Sequence, residues 1–496
     1  MITRRHAVAM TAALFLVPGA AVAQDRDDVR ADVDAFIREA LSEIEVVPGL
    51  AIAIVDGDDA VMVAGYGVAD LATGAPVDAD TRFYIASSTK SFTALAIAAM
   101  AARGEVELDA PLADWAAPNG MADTLASTVS LTDLLSHRSG VDNAPMSFRA
   151  AFSGEHTPEV MHRLLGETVA RPDTPHGTFR YSNAGYNLAT TLIEDRFGHD
   201  WRDLVEREVL APLGMNATTA RISVARDQAV VAAGHLGHLE GGPVRSEVQK
   251  VDQTMQSAGG LVSSARDMAL WLEAQINDGV VDGRRVFPEG LIASIHEPLV
   301  AEDREFGPYT RESYGLGWQI GRYGDDVLIH HFGNFAGSRA HVSFMPDRDL
   351  GVVVVVNEDA VAGGVADMVA NYVYDHFAGR ADLEDAYESQ VEAFVTRVAG
   401  VRTAVAEGAA ERARRPWMLA QPNAAYVGQY VSPAMGTLEV SESGEDLMVS
   451  IGVLTAKAEA FTQPETIRVE LVPLRGEVIR FDGDRLIYND ETFVRR

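Results

Sequence analysis

The chain has 496 residues, 47% of them hydrophobic, and no cysteine. That is enough for two or three domains and a large core, and it excludes a disulfide framework, a cysteine nucleophile, a thiolate metal site and a lipid anchor on an N-terminal cysteine. The formal net charge of −31 argues against nucleic acid as a partner, because phosphate repels such a surface.

The first residues read as an export signal. Arg4 and Arg5 form a basic n-region, Ala7 to Val22 is a short apolar stretch, and Ala21-Val22-Ala23 is a small-residue cleavage site ahead of Gln24 and an acidic run. A spanning helix needs about 20 apolar residues, and Pro18 and Gly19 interrupt this one. Cleavage of residues 1–23 is therefore expected, giving an exported protein, periplasmic or extracellular, with no stable membrane insertion. The Arg4-Arg5 pair hints at twin-arginine export, although the residues after it fit that pattern poorly.

Residues 29–46 carry helical spacing, with Val33, Phe36, Ile37, Leu41 and Ile44 on one side. Two strand-like runs follow, Leu50–Val55 and Ala60–Ala64, joined by Gly57-Asp58-Asp59. Residues 88–102 predict an Ala-rich helix ending at Gly104. From about 105 to 310 the pattern is helical with long loops rich in Gly, Pro and Asp. Strand signals return at Gly317–Ile320, Val327–His331, Ala340–Met345 and Gly351–Val356, and an amphipathic helix, 362–377, follows. Strands at both ends with helices between them predict one sheet interrupted by an α-rich insertion. These elements define a domain over 29–380. Residues 381–416 read as a charged linking helix, and 417–496 as a small antiparallel β-domain. In that domain Leu438/Val440, Leu447/Val449/Ile451, Ile467/Val469/Leu471 and Ile479/Phe481 alternate with polar residues.

Arginine has almost displaced lysine, and only Lys90, Lys250 and Lys457 remain. A surviving lysine matters because arginine cannot act as a base at accessible pH. In Ser87-Ser88-Thr89-Lys90 a helix start places Ser87 and Lys90 on one face, one turn apart. Free N–H groups there favour a developing anion. An isolated lysine, with a pKa of about 10.4, is no base at pH 7, so the apolar flanks Phe83-Tyr84-Ile85-Ala86 and Phe92 to Ala96 are needed to bury it and lower that value. Otherwise Ser87 is an N-cap and Lys90 a solvated first-turn residue. Two later segments carry further candidates. Phe179-Arg180-Tyr181-Ser182-Asn183 follows a Pro- and Gly-containing loop, and His330-His331-Phe332-Gly333-Asn334 continues a strand. A core Tyr beside a capping Asn, and a surface His pair at a strand end, are the structural alternatives. His235 and His238 are the nearest approach to a metal pair, but Gly237 and its neighbours suggest a loop and there is no His-Glu-x-x-His. No Gly-x-Ser-x-Gly is present.

The three segments in this order resemble the Ser-x-x-Lys, Ser-Asp-Asn and Lys-Thr-Gly set of the serine β-lactamase and penicillin-binding-protein superfamily. Tyr181-Ser182-Asn183 matches the class C form and its esterase and D-aminopeptidase relatives, and His331-Phe332-Gly333 stands where others carry Lys-Thr-Gly. Leu134–Gly140, Ser257–Leu261 with Ser264–Asp267, and Tyr314–Trp318 look similar too. The resemblance covers about residues 30–380, and the tail looks like the lipocalin-like module of some of these hydrolases.

It implies an α/β (α+β) fold: an antiparallel sheet flanked by helices, with an inserted all-α region and a C-terminal β-domain. It also implies that Ser87 forms an acyl-enzyme with Lys90 as base. Tyr181 would relay the proton, Asn183 would hold the substrate amide or orient Lys90, and His331 would line the pocket. The N–H groups of Ser87 and Asn334 would form the oxyanion hole, and Gly333 would belong to the same substrate-binding element. No cofactor or metal is implied. The expected substrate is a small ester, amide or D-peptide. A true β-lactamase, and a catalytically weak penicillin-binding sensor, are the rival readings, and the oligomeric state is left open.

Overall fold

The computed structural model describes residues 18–116, 120–335 and 337–496. The basic n-region and most of the apolar run of the expected export signal lie outside them. Helix α1 spans Pro18–Ile44, longer at its N-terminal end than the sequence pattern suggests.

The first of two large sheets is ten-stranded and antiparallel. At its centre β1 (Gly49–Asp56) pairs with β2 (Asp59–Asp70) on one side and with Leu350–Val356 on the other. The register Ile52↔Val354 puts even-numbered residues of both strands on one face and odd-numbered ones on the other, as the two-residue period requires. Leu50, Ile52, Ile54, Val352, Val354 and Val356 face α1, the helix Gly363–Phe377 and the helix Leu383–Ala413. Ala51, Ala53, Val55, Val353 and Val355 face the core that holds the helices Thr89–Ala102 and Ala265–Ile276. A sheet covered on both faces reads as an unbroken apolar run, which is why these strands stood out in the sequence.

The helix Thr89–Ala102 is buried from Thr89 to Met100. It is buried on all sides, the pattern of a core helix, and Phe92 stacks on Trp271 at 3.7 Å between ring centroids. The region expected to be helical to about residue 310 departs from that expectation at its end. Val300–Phe306 and Tyr309–Tyr314 are the outer strands of the same sheet. The charges in Val300–Phe306 hid this, because an edge strand with alternate residues in water resembles a polar loop.

The C-terminal domain is a nine-stranded antiparallel sheet that nearly closes into a barrel. The alternating residues picked out above, from Leu438 to Phe481, all point inward and are at most 4% exposed. With Leu486, Tyr488 and Phe493 they fill the interior.

Candidate functional site

The strand Arg82–Tyr84 pairs with Val262–Ser264 and delivers the chain into a single 3₁₀ turn, Ala86–Ser88, immediately before the helix Thr89–Ala102. Ala86 has a positive φ of 45°, a conformation that costs a non-glycine residue energy and persists only where its surroundings hold it. They do hold it. Ser88 Oγ donates to the His331 carbonyl at 2.8 Å, Ser338 Oγ to the Tyr84 carbonyl at 2.7 Å, and the Leu261 N–H to Thr89 Oγ1 at 3.0 Å. Of all residues from Thr81 to Met100, Ser87 alone is not buried.

The short strand Gly333–Phe335 runs against this turn. A Cβ on Gly333 would collide with the Ile85 carbonyl and stand 3.1 Å from Ser87 N. Only glycine lets the strand come that close, and Asn334 is the next residue along it.

Lys90 Nζ is fully enclosed. It lies 2.8 Å from Asn183 Oδ1, 2.6 Å from the Ala258 carbonyl oxygen and 3.4 Å from Ser87 Oγ. No carboxylate is among these partners, and burial pushes its pKa well below the ordinary lysine value. A neutral amine has two N–H groups and one lone pair. The two carbonyl oxygens accept the two N–H groups, so the lone pair is left facing the Ser87 hydroxyl.

Tyr181 and Asn183 approach from the other side. Ser182 is the extended N-cap of the helix Asn183–Phe197, and its N–H donates to His137 Nδ1 at 3.2 Å. The Tyr181 ring packs 4.4 Å from the His137 ring and 4.7 Å from Lys90 Nζ, centroid distances in both cases. Its ring edge leaves the residue 38% exposed, while its hydroxyl turns inward to the Ser87 side chain and burial raises its pKa. The Ser-Lys pair, Tyr181 and Asn183 are thus brought together, as the resemblance implied.

His331 is brought near but stands behind the others. It is 2% exposed, with its ring 6.1 Å from that of Tyr181, so it backs the pocket where the resemblance implied a lining residue. Its Nδ1 lies 3.0 Å from the Phe332 carbonyl, which can only accept, so Nδ1 carries the proton and Nε2 accepts from the Tyr314 hydroxyl at 3.1 Å. Burial pushes its pKa well below the ordinary histidine value. The other cation candidates of this element are also spent. His330 accepts from Arg311 Nε at 3.1 Å and is held neutral by burial. Arg339 pairs with Asp367 at 2.9 Å. Arg311, its pKa lowered by burial to about 10, lies over the Phe306 ring and 4.0 Å from Glu302.

Asp367, His341 and Ser343 form a second serine constellation, with 2.9 Å from His341 Nδ1 to the carboxylate and 2.7 Å from Nε2 to Ser343 Oγ. These are the distances of a Ser-His-Asp triad. Yet His341 and Ser343 are both 0% exposed, under the helix Gly363–Phe377, and Ser343 also bonds the Tyr374 hydroxyl at 2.8 Å. No substrate reaches this serine, so the arrangement is a core polar network. His235 is likewise occupied: Nε2 accepts from the Leu71 N–H at 3.3 Å and Nδ1 faces the Asn357 carbonyl at 3.2 Å. Among the described residues no group of three or more His, Asp or Glu has metal-binding geometry.

Sequence reasoning had no role for the Ala258 carbonyl, His137 or Tyr314. Their segments were singled out by resemblance, but a backbone acceptor has no residue-type signature, and His137 acts through the ring packing that only the fold reveals.

A family model described as Beta-lactamase matches residues 33–374. The unguisins hydrolase ungD of Aspergillus violaceofuscus is 30% identical over 363 residues, 68% of this chain and 63% of its own length. The chain therefore spans less than two thirds of that relative. Among solved structures, an octameric penicillin-binding protein homologue from Pyrococcus abyssi superposes with a TM-score of 0.59 at 22% identity, covering 94% of this chain and 99% of its own. The D-amino acid amidase from Ochrobactrum anthropi SV3, complexed with L-phenylalanine amide, gives 0.55 at 21% identity, covering 72% and 99%. At such identities the superpositions establish the fold, and it is the family model, spanning both the serine-lysine turn and the strand packed against it, that makes this chain a member of the Beta-lactamase family.

Proposed function

We propose that the chain is an exported serine hydrolase that cleaves small amides or esters through an acyl-enzyme on Ser87, with D-amino-acid amides or peptides as the favoured class. The observation that carries this reading is the fully buried Lys90 amine, which lies 2.8 Å from Asn183 Oδ1, 2.6 Å from the Ala258 carbonyl oxygen and 3.4 Å from Ser87 Oγ with no carboxylate among these partners. Lys90 takes the Ser87 proton as Oγ attacks the carbonyl carbon. The amides of Ser87 and Asn334 stabilise the oxyanion. The leaving group departs with a proton passed through the Tyr181 hydroxyl, and water then repeats the sequence in reverse to release the acid.

The D-amino acid amidase among the similar folds favours the amide class, and the unguisins hydrolase favours hydrolysis. The absence of an unpaired cation around His331 among the described residues weighs against β-lactams, which carry a carboxylate. The test is turnover of D-alanyl-p-nitroanilide, p-nitrophenyl acetate and nitrocefin by the full chain and by Ser87→Ala. Steady turnover of the first two, lost in the variant, supports the proposal. A stoichiometric burst without turnover points instead to a penicillin-binding sensor.

A further inference from the structure

The turn after the short helix Leu131–Leu135 holds the segment that carries the catalytic tyrosine. His137 sits in that turn at a φ of 63°, in the left-handed region, which histidine enters more readily than most non-glycine residues but still at a cost. It is 2% exposed. The Arg180 N–H donates to its backbone carbonyl at 2.8 Å, and the Ser182 N–H donates to its ring Nδ1 at 3.2 Å. The two amides on either side of Tyr181 therefore bond to a single residue.

In extended backbone, N–H groups two residues apart point to the same side, where a neighbouring strand would offer each a carbonyl. Here a carbonyl meets the first and an imidazole nitrogen the second. The same turn also grips the chain on both sides of this segment. The Gly177 N–H donates to the Arg138 carbonyl at 2.7 Å, and the Tyr186 hydroxyl donates to the Leu135 carbonyl at 2.7 Å. A Cβ on Gly185 would stand 2.5 Å from the Leu134 carbonyl oxygen, so the helix Asn183–Phe197 is pressed against the turn from its first residues.

A backbone N–H can only donate, so Nδ1 of His137 is the bare nitrogen and Nε2 carries the proton. Burial, and then the nearby Lys90, push the pKa of the ring well below the ordinary histidine value, which keeps Nδ1 free to accept. Nε2 is buried with no hydrogen-bond partner among the described residues, and the ring lies 4.4 Å from that of Tyr181 and 4.7 Å from that of Tyr314 between centroids. A left-handed backbone and an unpaired buried donor each cost free energy. The fold tolerates both at this one residue, and what the residue delivers in return is the Nδ1 acceptor.

We propose that His137 is a positioning residue for the reaction: by holding the amides of Arg180 and Ser182 it sets the Tyr181 hydroxyl against Ser87 and, one residue further on, Asn183 against Lys90. This role rests on the reaction proposed above for Ser87. The contacts that it serves are the inward-turned Tyr181 hydroxyl and the 2.8 Å bond from Lys90 Nζ to Asn183 Oδ1. His137 itself takes no proton in the reaction, because its Nδ1 is occupied by Ser182. A misplacement of reacting groups on the order of 1 Å costs about 10²-fold in rate.

The experiment uses the full chain with His137→Gly and His137→Asn. Both residues accept a positive φ and keep the backbone carbonyl, but only asparagine places an acceptor, Oδ1, where Nδ1 stood. In His137→Gly, kcat for D-alanyl-p-nitroanilide should fall by about 10²-fold with KM little changed, and in His137→Asn it should stay within about 10-fold of the wild type. Turnover of p-nitrophenyl acetate should fall less in His137→Gly, because p-nitrophenolate leaves without the proton that p-nitroaniline needs from Tyr181. A 10²-fold loss in His137→Asn overturns the proposal whatever the Gly variant does, and so does an ester loss in His137→Gly as large as the anilide loss, or a change in KM alone. The second arm needs no chemistry. The chain has only Lys90, Lys250 and Lys457, so ¹³Cε-lysine NMR resolves Lys90, assigned with Lys90→Arg. Its resonance should move in His137→Gly and lie nearer its wild-type position in His137→Asn, with Lys457 unmoved as the control. An unmoved Lys90 resonance in His137→Gly overturns the proposal. Absence of turnover in the wild type, with the resonance moving as expected, defeats the hydrolase reading alone.

Discussion

Asn183 Oδ1 and Lys90 Nζ are 2.8 Å apart, although 93 residues separate them in the chain. The contact fixes which face of the amine is free, and it makes Asn183 a positioning residue for the base. Asn183→Asp would place a carboxylate at that distance and stabilise the ammonium form. The acidic limb of kcat/KM should then move upward, by about 1–3 pH units, with a smaller change in the plateau. A pH–rate profile on p-nitrophenyl acetate measures this, and an unmoved limb would show that the base titrates elsewhere.

Lys90→Arg should be nearly as inactive as Lys90→Ala, each losing roughly 10²–10⁴-fold in kcat, the usual contribution of a positioned base. Guanidinium stays protonated at any accessible pH, so a cation at this place has no lone pair to offer. An arginine variant with near-normal kcat would reduce Lys90 to a structural charge.

Nitrocefin should be a poorer substrate than D-alanyl-p-nitroanilide or a p-nitrophenyl ester, by roughly 10- to 100-fold in kcat/KM if one charged hydrogen bond is missing. The neutral His331, the Arg339–Asp367 pair and Arg311, buried 4.0 Å from Glu302, leave no exposed cation here for the lactam carboxylate. Nitrocefin as the best of the three would refute the assignment of these charges.

Lys250 provides a test in stability. It is 5% exposed, donates to the Ala151 and Thr254 carbonyls at 2.8 and 3.0 Å, and burial lowers its pKa to about 7. Its unfolded value is about 10.4. Between these values the unfolded chain binds the extra proton, so stability rises with pH from about 7 to 10 and is lost as pH falls back through the lower value. Lys250→Met should flatten that rise. Urea denaturation of both proteins at pH 7 and pH 9.5 gives the comparison, and parallel behaviour would show that Lys250 stays charged in the fold.

Arg149, 5% exposed, donates from Nε to the Ala434 carbonyl at 2.6 Å and from Nη2 to the Pro433 carbonyl at 3.1 Å. Arg149→Ala should lower the stability of the full chain by about 1–3 kcal/mol for each buried carbonyl left unsatisfied, and should loosen the docking of the C-terminal domain. Removal of residues 417–496 goes further. It leaves Ser87, Lys90, Tyr181 and Asn183 in the remaining chain but strips Phe148, Phe152 and Phe335 of their cover, so a lower melting temperature and an altered substrate range are expected together. A truncated protein with unchanged selectivity would separate the domain from the site.

Much of the sheet and the Ser87–Lys90 pair could be read in the sequence for two physical reasons, while Tyr181 and Asn183 joined that pair only through the family resemblance. Strands buried on both faces, such as Gly49–Asp56 and Leu350–Val356, are apolar throughout, and a base three residues after its nucleophile on a helix is a local pattern. The rest depends on contacts between distant segments. Val300–Phe306 is a strand only because Tyr309–Tyr314 pairs with it. His331 looked like a lining residue until its burial under Tyr181 and Tyr314 was seen. Glu491 opens the last strand of the tail, Glu491–Arg495, and nothing local marks it. Its place in a cavity beside Tyr181 comes from the docking of that tail on residues 148–155.

Burial of two of the three lysines has a practical corollary. Lys90 and Lys250 are sealed, whereas the Lys457 side chain is 60% exposed beside Asp446. Lysine-directed acylating reagents used on the folded protein will therefore modify one ε-amine, on the outer strand Leu454–Lys457 of the barrel. A dye or a solid support attached through lysine would have a defined orientation, and a second label appearing over time would report opening of the core around Lys90 or Lys250.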